Sequence, residues 1–196
     1  ARDWCCTGCV DGNVQAITRT QVACFFIIAQ AMDIALHNGY CRYTNEMVGK
    51  PVGDVRKMSS FEEVRFAVYD EIRYLMAMAN ERINVELIAE RELFPDVFRS
   101  ALMKDGVAVG KDMYNRRFEF ENGAVLGAVG GVNTGNALYA IQQLVFEQKK
   151  YTMDQLMDAL DADWNGYEEM QEDFKSQAKY GNNIPAVDEM VAEIYQ

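Results

Sequence analysis

Gly8-Cys9-Val10-Asp11-Gly12 sets a thiol and a carboxylate two residues apart between glycines. In an extended segment, positions i and i+2 face the same side, so both groups could meet one substrate. Flanking glycines let the backbone turn sharply at a loop tip. A packed or surface cysteine is the plainer reading of the same five residues. Cys6-Thr-Gly-Cys9 overlaps them and offers two more: a redox dithiol, or half of a zinc site. Zinc needs a second close ligand pair, and Cys24, Cys41 and His37 do not form one. A redox dithiol of the thioredoxin kind follows a strand, and no strand is expected before Cys6.

Outward from this stretch, the chain has the composition of a soluble globular protein. Its 196 residues are 49% hydrophobic and 25% charged, which suits one large domain. Lys and Arg number 19 against 30 Asp and Glu, a net charge of −11 that argues against nucleic acid or an anionic membrane as partner. The longest apolar stretch, Val22 to Ala35, is broken by Gln30 and Asp33 and is too short to span a bilayer. Five cysteines, at 5, 6, 9, 24 and 41, are odd in number and front-loaded, unlike a secreted disulfide framework. A reducing cytoplasm is expected. The chain opens without Met, which suggests a piece of something longer.

Residues 1–19 read as a loop. A buried helix is expected from about Thr20 to His37, ended by Asn38-Gly39. Residues 40–58 read as irregular. Ser60-Phe-Glu-Glu63 is a capping box, and apolar residues at helical spacing follow it to about Ala89. Pro95 marks a break, and 97–113 holds a short helix or turn and then a polar turn at Lys104–Gly106. Between 118 and 134, apolar residues mixed with glycines read as one or two buried strands. Asn136 is expected to cap the next helix, Thr152-x-x-Gln155 to cap another, and further helices span about 165–177 and follow Pro185. One or two strands do not make a stable sheet, so their partners are expected outside the chain.

Other features have plain structural readings. The glycines of 123–135 lack the spacing of a phosphate cradle and suit close backbone packing. Residues 151–174 carry eight acidic residues and no Lys or Arg, better read as a solvated face than as a metal site. His37 suits a cap at a helix end.

Taken together, the stretches in order resemble the glycyl radical enzymes, the pyruvate formate-lyase-like family that includes diol dehydratases, choline lyase and arylacetate decarboxylases. Ala1-Arg-Asp-Trp4 and Gly8-Cys-Val-Asp11 resemble the family's active-site cysteine loop. Ala35-Leu-His-Asn-Gly39, Gly53-Asp54, Ser60-Phe-Glu-Glu-Val64, Phe98-Arg-Ser100, Gly110-Lys-Asp112 and Val132-Asn-Thr134 follow in family order. Leu138-Tyr-Ala-Ile141, Leu144-Val-Phe-Glu147, Lys150-Tyr-Thr152, Gly166-Tyr-Glu-Glu-Met170, Lys179-Tyr-Gly-Asn182 and Val187-Asp188 continue it to the end.

The resemblance implies an α/β fold: a mostly helical fragment, 1–196, of a single ten-stranded α/β barrel domain. Residues 1–19 would be the cysteine loop and 20–196 helices with one or two barrel strands. The glycyl radical motif, Arg-Val-Ser/Ala-Gly-Tyr, is absent from the sequence. The radical would therefore sit on a glycine outside these residues, installed by a separate iron–sulfur activating enzyme that uses S-adenosylmethionine. Cys9 would carry the thiyl that abstracts hydrogen from a small-molecule substrate. Asp11 stands where dehydratases and decarboxylases carry Glu, and would move a proton. A dry barrel is expected to raise its pKa. Asp is one methylene shorter than Glu, and Gly12 replaces the family's common Pro. No bound metal is expected in this chain, a homodimer is expected of the full-length protein, and the isolated 196 residues are expected to be inactive.

Adjacent Cys5-Cys6 are reminiscent of formate C-acetyltransferase, but the Gly-Cys-Val register points to Cys9. Enzymes that add substrates to fumarate, of the benzylsuccinate type, lack an acid two residues after the cysteine. Diol dehydratases carry His-Asp before a segment like Ala23-Cys-Phe-Phe26, where this chain has Gln21-Val22. An apolar wall of Val22, Phe25 and Phe26 would suit a less polar substrate and favours a decarboxylase or another carbon–X lyase. A non-catalytic binding or structural module is the competing class.

Overall fold

The computed structural model describes residues 4–7, 11–14, 16–19, 23–118, 120, 121 and 125–196. The chain divides into two units, Ala1–Phe25 with Met78–Gly127 and Phe26–Ala77 with Ala128–Gln196. Three elements run through the division: strands β4 (Ala23–Ile27) and β8 (Val125–Val129), which pair with each other, and helix α2 (Phe61–Leu93).

The first unit opens on a hairpin rather than a loop. Strands β1 (Trp4–Thr7) and β2 (Asp11–Val14) are antiparallel, with Thr7 opposite Asp11 and Trp4 opposite Val14. Strand β3 (Thr18–Arg19) then runs parallel to β7 (Phe120–Glu121). These strands are too short to show a period in the sequence, so pairing decides them, locally for β1 with β2 and between distant segments for β3 with β7. Helices α3 (Val97–Leu102) and α4 (Gly106–Val109) follow the break at Pro95. Asp96 caps α3 by accepting from the Arg99 N–H at 2.8 Å. Asp112 then ties the segment together. Its carboxylate accepts from the Asp96 N–H (2.7 Å), the Ser100 hydroxyl (2.9 Å) and the Tyr114 N–H (2.9 Å). Ser100, itself buried, accepts from the Met113 N–H at 2.8 Å. Two of the quoted sequence stretches, Phe98-Arg-Ser100 and Gly110-Lys-Asp112, thus meet in one polar network beside the small core of Met113, Tyr114 and Phe118.

In the second unit, the helix expected from about Thr20 to His37 is instead a strand followed by a helix. β4 covers Ala23–Ile27 and passes directly into α1 (Ile28–Leu36); residues 20–22 lie outside the described ones. A continuous apolar run cannot distinguish buried strand from buried helix by period. Cys24-Phe-Phe-Ile27 favours the strand, because aromatic and β-branched side chains fit a pleated surface. The stop at Asn38-Gly39 is as expected, with φ of 54° and 88°. The stretch read as irregular holds a two-residue hairpin of β5 (Tyr40–Cys41) and β6 (Glu46–Met47).

Helix α5 (Gly131–Ile141) begins before Asn136. Gly130, at φ 85°, turns the chain straight out of β8 and occupies the N-cap, while the Asn136 side chain accepts from the Tyr180 N–H at 2.8 Å. α5 continues as a π-helical turn over Gln142–Glu147. Thr152 and Gln155 form the expected reciprocal box at the start of α6 (Met153–Asp161). The Ser60 box is half formed: Ser60 accepts from the Glu63 N–H, but Glu63 reaches back to the Ser59 N–H. Helices α7 (Glu168–Ser176) and α8 (Pro185–Ile194) complete the unit.

Helix α8 lies close against α5 because α5 presents glycine there. A Cβ on Gly131 would overlap the Tyr195 ring, and one on Gly135 would overlap Val191. The acidic stretch is a solvated face, as expected: Asp154, Asp158 and Asp161 remain half or more exposed while also meeting Arg56. His37 caps α1, its ring nitrogens facing the Asp33 carbonyl (2.7 Å) and Asp161 (3.1 Å).

Candidate functional site

Cys9 and Val22 lie outside the described residues, as does the rest of 8–10. What is described is the backbone on both sides of Cys9. β1 ends at Thr7, β2 begins at Asp11, and the two residues are paired across the hairpin. Cys5 and Cys6 stand in β1 opposite Asn13 and Gly12.

The strand that carries Asp11 is braced from below. At its end, the Val14 N–H donates to the Thr18 hydroxyl at 2.9 Å, and the Ile17 N–H to the Val14 carbonyl at 3.2 Å. Between them Ala16 takes a left-handed φ of 62°, a conformation that costs a non-glycine residue about 1 kcal/mol or more and persists only when its surroundings hold it. Here the hold comes from Lys104 and Arg116. The Lys104 N–H donates to the Ala16 carbonyl at 2.8 Å, and the Lys104 carbonyl accepts from Arg116 Nη2 at 2.7 Å. The Arg116 guanidinium lies 4.4 Å over the Phe118 ring, and its buried Nη1 has no hydrogen-bond partner among the described residues. Nothing in the spacing of Arg116 and Lys104 marks them, because the brace runs through backbone carbonyls that any residue could supply.

The expected apolar wall is not one surface. Adjacent residues of a strand point to opposite faces, and along β4 Phe25 is 63% exposed while Phe26 is 8% exposed. Phe26 is core. Phe25 is on the open face, with Gly127 beside its ring.

The other described cysteines are unbridged. Cys24 is half-buried. Cys41 is buried at the end of β5, where the Thr44 hydroxyl holds its thiol below the usual range and Gln30 donates to its sulfur at 3.7 Å. Among the described residues, no three His, Cys, Asp or Glu side chains are placed to hold a metal ion, and no helix is long and apolar enough to cross a membrane.

Parallel pairing of β3 with β7, and strands that feed directly into helices at β4–α1 and β8–α5, are the marks of an α/β barrel segment with a cysteine hairpin at its start. The family model described as pyruvate formate lyase-like matches residues 1–196, and the chain belongs to that family, the glycyl radical enzymes. It is 30% identical over 191 residues to trans-4-hydroxy-L-proline dehydratase of Clostridioides difficile, covering 96% of this chain and 23% of that protein. It is 29% identical over 200 residues to isethionate sulfite-lyase of Bilophila wadsworthia, covering 99% and 24%. The crystal structure of B12-independent glycerol dehydratase from Clostridium butyricum with glycerol bound superposes with a TM-score of 0.85 at 27% identity, covering 99% of this chain and 24% of that one. The chain thus spans about a quarter of the length of these relatives, and its fold is a fragment of their α/β barrel.

Proposed function

We propose that this chain is the cysteine-bearing segment of a glycyl radical lyase that removes a leaving group or a carboxylate from a small organic molecule. The observation that carries the reading is the match of all 196 residues to the family, with Cys9 lying in the sequence between the paired strands β1 and β2 and Asp11 opening β2. A glycyl radical outside these residues, installed by a separate activating enzyme that uses S-adenosylmethionine, would supply the unpaired electron.

Cys9, as the thiyl, takes a hydrogen atom from a substrate carbon: one C–H bond breaks and the S–H bond forms. S–H and activated C–H bonds are close in strength, so the step is reversible. The leaving group departs from the neighbouring carbon, and the product radical takes the hydrogen back from Cys9. Asp11 manages the accompanying proton, accepting it as the substrate radical forms or donating it as the group departs. With a side chain one methylene shorter than Glu, it requires the β2 backbone to sit correspondingly closer to the substrate, which is the task of the Lys104–Arg116 brace. Phe25 faces the substrate and Phe26 does not. The full-length protein works in the cytoplasm as a homodimer, and the isolated chain is inactive.

The test uses the activated full-length protein under anaerobic conditions with isethionate, trans-4-hydroxy-L-proline, glycerol and indole-3-acetate. Turnover of at least one is expected, and Asp11→Asn is expected to slow it by about 10²-fold or more. A protein that carries the radical but turns over none of them, or an Asp11→Asn variant near the wild-type rate, contradicts the proposal.

A further inference from the structure

The open face of β4 meets its neighbouring strand at a residue with no side chain. Gly127 lies beside Phe25: a Cβ built there would stand 3.1 Å from Cδ1 and 3.2 Å from Cε1 of the ring, and 3.9 Å from the Cys24 carbonyl. Those ring contacts are closer than carbon atoms settle without strain. Gly127 is not at a left-handed φ, unlike Gly130 three residues on, so no turn requires a glycine there. A glycine inside a strand weakens it and commonly marks a place where something approaches the backbone closely. In this unit, what approaches is the Phe25 ring, which is otherwise 63% exposed.

We infer that Gly127 is a specificity-determining residue: by leaving a slot on β8 it lets the Phe25 ring lie back against the strand, and so sets how large a substrate the open face admits. The inference rests on the proposed role of Phe25 as a substrate contact. Filling the slot moves the ring away from β8 and into the space a substrate would take. Gly127→Ala displaces it by a few tenths of an ångström and Gly127→Val by more. In an apolar pocket one methylene changes discrimination by about 10-fold or more, so the effect falls on large substrates and spares small ones.

The experiment measures binding to the full-length protein before activation, so that no radical is needed. Titration calorimetry compares isethionate, trans-4-hydroxy-L-proline and indole-3-acetate, probes of increasing size. Gly127→Ala is expected to shift the affinity ratio of the largest to the smallest bound probe by about tenfold against the larger, and Gly127→Val further. Adding Phe25→Leu to either variant returns the ratio toward wild type. Phe25→Leu alone, which leaves the strand backbone as it is, shifts the ratio toward the larger probe. Unchanged ratios in the Gly127 variants while Phe25→Leu still shifts the ratio overturn this inference alone; unchanged ratios in Phe25→Leu as well overturn it together with the substrate-facing role of Phe25. Absence of binding by any probe to the wild type overturns it together with the substrate-facing role of Phe25.

Discussion

The substitution Glu71→Gln removes a charge from a place that does not solvate one. Glu71 lies on α2 with no exposed surface, and among the described residues the one backbone donor near its carboxyl, the Lys50 N–H, lies outside good hydrogen-bond geometry. It abuts Gly49, where a Cβ would overlap its Oε1. Burial pushes its pKa above the ordinary 4.5; the Lys50 N–H and ammonium favour the ionised form and Asp70 opposes it, without cancelling the burial. The sign follows from linkage. In the unfolded chain the carboxyl loses its proton near 4.5, whereas in the folded protein it keeps the proton to higher pH. Its contribution to stability is therefore complete below the unfolded value and is lost as pH rises through the folded value. While only the unfolded state is ionised, the loss is about 1.4 kcal/mol per pH unit. An uncompensated buried polar group costs about 1–3 kcal/mol. Glu71→Gln keeps the shape and removes the ionisation, so it is expected to match wild type near pH 4 and to be more stable by about 1–3 kcal/mol at pH 8. Urea midpoints of both proteins between pH 4 and 8 give the difference. Parallel pH curves for the two would refute the reasoning.

Three further outcomes follow from the packing and the brace. Gly49→Ala should destabilise by about 1–3 kcal/mol through overpacking, and by less in a Glu71→Ala background, read as non-additivity in a double-mutant cycle. Gly135→Leu drives a side chain into Val191 and should destabilise by at least about 1–3 kcal/mol, seen as a lower melting temperature; an unchanged melt contradicts the close α5–α8 contact. Arg116→Met removes the hydrogen bond to the Lys104 carbonyl and should speed hydrogen exchange over residues 11–19 while leaving α6 and α8 unchanged; uniform protection would remove the brace from the account.

Local signals were legible where the physics is local. The Thr152–Gln155 box, the Asn38-Gly39 stop, the break at Pro95 and Pro185 opening a helix all depend on residues within a turn of one another. The β1–β2 and β5–β6 hairpins were not, because strands of two to four residues are too short to show a period, and β3 exists only through its distant partner β7. Ala23–Ile27 carries apolar residues on both faces although Phe25 and Ile27 are exposed, so its sequence lacks the period that separates strand from helix. Asn136 looked like a cap, yet Gly130 holds that position and Asn136 binds the Tyr180 amide, 44 residues away. For the site, the spacing of Cys9 and Asp11 was readable as chemistry. The opposed faces of Phe25 and Phe26 required the strand, and the Lys104–Arg116 brace required the tertiary fold.

The central claim is that Cys9 is the residue through which the radical reaches substrate. The direct measurement is anaerobic EPR and turnover of the activated full-length protein with Cys9→Ala. A glycyl radical signal of wild-type intensity with no turnover is the predicted result. Turnover surviving in Cys9→Ala would contradict the account.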